Sequence, residues 1–123
     1  MNTSTDEELM TIITLLMERI KNDNGDILVN AFTAQELANN RCSEGYRIYV
    51  NSINLEIKYI YTRSCYASNT IIITKDMEKR TFYMSNNETE FFSFRELLKN
   101  VCENNDKKRE INFLKNIQKL LAQ

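Results

Sequence analysis

Residues 46–62 constrain this chain more than any other stretch, because apolar and polar side chains alternate along it with a single interruption. Tyr46, Ile48 and Val50 alternate with polar partners up to Asn51, and Ile53, Leu55, Ile57, Tyr59 and Tyr61 alternate with Asn54, Glu56, Lys58 and Thr62. A period of two sends one row of side chains toward a core and the other toward water, as on a half-buried strand. The phase slips at Asn51-Ser52, so a turn or bulge belongs there. Without one, the slip would carry every apolar side chain of the second strand to the wrong face.

Upstream, Leu9, Met10, Ile12, Ile13, Leu16, Met17 and Ile20 fall on one broad helical face, and Thr5 with Glu8 forms a capping box at its start. Asn22-Asp23-Asn24-Gly25 stops that helix, since asparagine and glycine tolerate the left-handed backbone of a helix end. Residues 26–32 have the length and β-branched content of a strand. Thr33 with Glu36 opens a short helix ending near Asn40, and residues 41–45 read as loop. Downstream, residues 70–74 and 81–85 form a hairpin across the polar stretch 75–80. Ser93 with Glu96 caps a helix that turns Phe94, Leu97, Leu98, Val101 and Cys102 inward. Asn104-Asn105-Asp106 breaks and recaps it, and a final helix buries Ile111, Leu114, Ile117 and Leu121.

The expected fold is therefore α+β: an antiparallel meander of four to five strands packed by an N-terminal helix and two C-terminal helices, with residues 1–123 forming one domain. The absence of proline, the presence of only two glycines and the lack of any repeat or low-complexity tract leave nothing to mark a linker.

Apolar residues at 42% and charged residues at 27% are ordinary globular values and argue against a disordered or fibrous chain. The longest helical apolar stretch, residues 9–20, is interrupted by Thr11, Thr14, Glu18 and Arg19 and is no membrane span. The polar, acidic residues 1–8 do not read as a secretory or mitochondrial signal. Three scattered cysteines, Cys42, Cys65 and Cys102, suit reduced thiols rather than a disulfide framework or a clustered metal site. A soluble cytoplasmic domain is expected, in which the sequons at Asn2 and Asn87 carry no meaning. Sixteen asparagines and thirteen isoleucines point to AT-rich coding DNA, a bias shared by viruses and mobile elements.

The chain contains no histidine, which removes Ser-His and Cys-His nucleophiles, imidazole general bases and histidine metal ligands together. Two isolated glycines build no phosphate-cradling loop, so no nucleotide cofactor held that way, and no metal, is expected. One constellation has catalytic potential: Asp26 at the head of a strand, with Glu56 and Lys58 two apart on one face of a later strand. It resembles the aspartate and Glu-x-Lys pattern of restriction-type nucleases, which implies Mg²⁺-dependent cleavage with Glu18 as a further ligand. Alternation alone also places Glu56 and Lys58 there, as the polar side of a strand. A second resemblance concerns fold. Residues 80–85 followed by 91–98 resemble the late strand and second helix of SH2 domains, and residues 33–40 with Glu44-Gly45 their first helix and entry to the central strand. The resemblance implies a degenerate peptide-binding domain, because Val50 stands where that family places its phosphate-binding arginine and Ala34 where a second arginine is common.

Charge is uneven: residues 1–26 carry six acids against two bases, and residues 95–123 seven bases against four acids. Lys99, Lys107, Lys108, Arg109, Lys115 and Lys119 lack the interleaved aromatics that stack on bases, so nucleic acid is not the expected partner. Six tyrosines concentrate in the strands, where they suit either sheet packing or an interface, and Tyr49 and Tyr66 are the pair expected to be exposed. Leu15 and Phe113 lie off the main stripes of their helices. These four residues form the candidate partner-binding set. The expected function is a non-enzymatic protein-binding module, an adaptor, inhibitor or immunity-type factor encoded by a virus or mobile element. Its expected partner is another protein or a second copy of itself.

Overall fold

A computed structural model describes residues 5–22, 25–63, 67–84 and 88–123. Helix α1 (Thr5–Lys21) is followed by strand β1 (Ile27–Ala31), the short helix α2 (Ala34–Asn40), strands β2 (Glu44–Val50), β3 (Leu55–Arg63), β4 (Ala67–Lys75) and β5 (Glu78–Met84), and helix α3 (Glu88–Leu121). The strands form one antiparallel sheet in chain order, which is the expected α+β meander.

Alternation sets the faces of this sheet. Val29, Ile48, Ile57 and Ile73 occupy one cross-strand row, and Tyr46, Tyr59, Ile71 and Phe82 the next. α1 lays Leu9, Ile13, Leu16 and Ile20 on this side, and α3 lays Phe91, Phe94 and Leu98 on it, so both long helices share one core. Burying each such side chain contributes roughly 1.5–3 kcal/mol, which makes this layer the main source of stability. The phase slip resolves as a single 3-10 turn, Asn51–Ile53, closed by Asn54 in the left-handed conformation at φ 49°. Val50 and Leu55 then face each other on the core side.

The capping box of α2 is present: Glu36 N–H donates to Thr33 Oγ1 at 3.2 Å, and Thr33 N–H donates to Glu36 Oε1 at 3.0 Å. Gly45, expected in a loop, lies inside β2. The Phe32 ring sits directly over it where a Cβ would overlap, so packing rather than backbone conformation requires the glycine.

Two features depart from the sequence reading. Only Asp76 and Met77 join β4 to β5, in place of the whole stretch 75–80, and both have positive φ, 50° and 67°. Positive φ at both central residues matches the twist of the flanking strands, so the ladder runs to the very tip. The two expected C-terminal helices are one, which runs through Asn104-Asn105-Asp106 without a break. Asparagine costs well under ~1 kcal/mol inside a helix, too little to stop one whose preceding turns are already formed. Ser93 is likewise interior, its hydroxyl donating to the Thr89 carbonyl at 3.3 Å.

A polar cluster lies buried beneath α3. Asn69 Oδ1 accepts from Tyr59 Oη at 2.5 Å and from Arg95 Nη1 at 3.2 Å, and Asn69 Nδ2 donates to Glu88 Oε1 at 2.8 Å. Arg95 also donates to Tyr59 Oη at 3.0 Å, and its guanidinium carbon lies 3.7 Å from the centre of the Tyr61 ring. Asn69→Ala leaves two buried donors, Tyr59 Oη and Arg95 Nη1, short of a partner and is expected to lower stability by about 2–3 kcal/mol. Met77→Gly is expected to raise it by about 0.5–1 kcal/mol, because a left-handed non-glycine residue costs more than the extra entropy glycine loses. Urea unfolding midpoints at unchanged slope measure both changes.

Candidate interaction surface

α3 starts over Tyr59 and Asn69 and crosses to the edge strand β1, where Cys102 Sγ lies 3.9 Å from the Val29 carbonyl oxygen. Asn105 and Arg109 line a small pocket there with Val29 and Phe32. From Asp106 onward every residue is exposed, so this half of the helix projects past the sheet. Ile111, Leu114, Ile117 and Leu121, expected in the core, are therefore on the surface. They lack a core because the helix does not turn back at residues 104–106. Leu121 is 80% exposed, and Phe113 and Leu120 are 64% exposed each.

The two halves of α3 also face different ways. At 3.6 residues per turn, the stripe formed by Leu114, Ile117 and Leu121 is rotated by roughly 140° from the one formed by Phe91, Phe94 and Leu98. The projecting stripe thus cannot reach the domain's own core, even as a continuation of the same face.

A second apolar surface flanks α1. Leu15 is 59% exposed, and Ile12, expected on the buried face, is exposed as well. With Leu16, Ile53, Leu55 and Arg19 they line a groove of about 330 Å³ between α1 and the β2–β3 turn. Leu15 and Phe113 thus lie on two separate exposed surfaces. Tyr49 is half-buried on the sheet face away from α1 and α3, its phenol donating to Asn54 Oδ1. Tyr66 lies outside the described residues. Tyr83, which the sequence reading passed over, is 77% exposed, because it sits on the outer face of an edge strand.

The groups with catalytic potential do different things. Asp26 Oδ1 accepts from Ser52 N at 2.8 Å, and Asp26 Oδ2 accepts from Ser52 Oγ at 2.7 Å and Arg19 Nη2 at 3.4 Å. The Ser52 bonds hold this carboxyl below its ordinary range and tie it into the turn after β2. Glu56 and Lys58 share the outer sheet face, paired across β2 with Tyr49 and Arg47. Glu18 is exposed on α1. Among the described residues, no three Asp, Glu, Cys or His side chains are grouped to hold a metal ion. Cys42 and Cys102 are unpaired, and burial pushes both thiols up, away from the reactive thiolate form. Val50 is buried in the core, and Ala34 opens α2.

No family model, curated protein or solved structure significantly matches this chain. The surface must therefore be read from its own chemistry.

On the outer sheet face Arg47 pairs with Glu36 and lies over the Phe32 ring, 5.1 Å from its centre. The Arg47 bond lowers the Glu36 carboxyl from 4.5 to about 2. A depressed carboxyl contributes stability above its unfolded pKa and loses it as pH falls through the folded one. Glu36→Gln is expected to lower the melting temperature at pH 7. The gap from the parent protein should close between pH 4.5 and 2, as thermal melts across that range will read.

Proposed function

We propose that this chain is a non-enzymatic, cytoplasmic protein-binding module, an adaptor, inhibitor or immunity-type factor of viral or mobile-element origin, which grips its partner with the projecting half of α3. The observation that carries the reading is the run of six large apolar side chains between Ile111 and Leu121, all exposed. Covering one such side chain stabilises by about 1.5–3 kcal/mol, so a partner over this stripe gains several such contributions at once. Exposed apolar side chains scattered singly need no explanation; a contiguous stripe on a rigid element does. The same segment carries Lys107, Lys108, Arg109, Lys115 and Lys119, a net positive charge that favours an acidic partner.

The test is a paired substitution, Leu114→Glu with Ile117→Glu. These side chains contact no buried core, so the melting temperature is expected to stay within about 2 °C of the parent protein, while capture of a stoichiometric partner from source-cell extract is lost. Capture that survives the substitution, or turnover of a substrate by the purified chain, would overturn the reading.

A further inference from the structure

We infer that the partner of the projecting half of α3 is a second copy of this chain, whose α1 groove receives it, so that two copies exchange these segments reciprocally. The inference rests on the protein-binding reading above and names the partner.

Three properties of the two surfaces fit each other. The first is length: the 16 residues from Asp106 to Leu121 and the 17 of α1 both make helices of about 25 Å, so one can lie along the whole of the other. The second is pattern. On α1 the groove side presents Glu8, Ile12, Leu15 and Arg19, spaced by four, three and four residues. On α3 the projecting stripe presents Glu110, Leu114, Ile117 and Leu121 at the same spacing. Laid antiparallel, Leu114 meets Leu15, Ile117 meets Ile12 and Leu121 falls beside Glu8, while Glu110, which otherwise interrupts an apolar stripe, comes beside Arg19. The third is net charge. The segment from Asp106 to Leu121 holds five bases and two acids, whereas α1 holds four acids and two bases, so the two attract each other and two projecting segments repel.

The register places three exposed apolar residues, Leu114, Ile117 and Leu121, at 56%, 38% and 80% exposure, against the groove. Reciprocal exchange doubles the contact and closes the assembly at two copies, whereas a one-way contact would run on into a filament.

Light scattering on the full chain tests this with three samples: the parent protein, Leu15→Glu and Leu114→Glu. Both leucines are exposed, at 59% and 56%, so neither change removes a core contact, and unchanged melting temperatures will confirm intact folds. The parent is expected at twice the 14.5 kDa chain mass, and each variant at the mass of one chain with self-affinity weakened at least ~30-fold. Mixing the two variants is expected to restore a dimer of intermediate affinity, because the pair retains one contact in which groove and helix are both intact. A parent protein that stays monomeric at about 100 μM sinks the inference. So does a Leu15→Glu variant that dimerises like the parent, which would place the two projecting helices against each other. A monomer that still captures a different protein through Leu114 and Ile117 overturns this inference alone and leaves the binding-module reading standing. A monomer that captures nothing removes both.

Discussion

The position of Arg95 decides where α3 lies, and the direction of α3 decides what the surface offers. A buried guanidinium is tolerated only where its donors are satisfied, and Arg95 finds Tyr59 Oη, Asn69 Oδ1 and the face of Tyr61 within one small volume. Phe91 stacks on Tyr59 at 5.6 Å between ring centres and Phe94 lies tilted against it at 5.2 Å, which fixes rotation about the helix axis as well as position along it. A helix is stiff over this length, so pinning its first turns aims the rest of it. The far half leaves the sheet beyond β1 because the near half is held.

The core side of the sheet is consequently complete with two helices, and on the other side Leu28, Ile60 and Ile72 stand among polar and charged residues. Among the described residues, one corner of that outer side is closed, by Phe32 over Gly45 and by the Glu36–Arg47 pair above it. Glu56 and Lys58 belong to this wet face, and Asp26 is committed to holding the turn after β2. Chemistry that needs these three groups convergent would have to give up the Asp26–Ser52 bonds first.

The strands, the turn at Asn51-Ser52 and the capping box at Thr33 were legible because each rests on a short-range rule: period two, a phase slip, or a hydroxyl and carboxylate three residues apart. What could not be read depends on distant partners. The shift of apolar phase near Asn104-Asn105-Asp106 looks like a boundary between two helices, and the shift is real. Its physical meaning is a change in what the helix faces, since the near stripe lies against the sheet and the far stripe is exposed. Gly45 reads as loop until Phe32 is placed above it. Tyr83 looks like any strand tyrosine until β5 turns out to be an edge.

The surplus apolar surface also has a kinetic side. A segment of 16 residues is marginal as an isolated helix in water, and its dominant cost is forming the first turn. Here that turn is already formed in the half of α3 clamped to the sheet, so Asp106 to Leu121 needs only propagation to become helical. On the proposed binding reading, a partner meets a stripe that is largely ordered before contact, and less of the binding energy is spent on ordering it. The same clamp that denies the stripe a place in its own core thus makes it an efficient element for docking elsewhere.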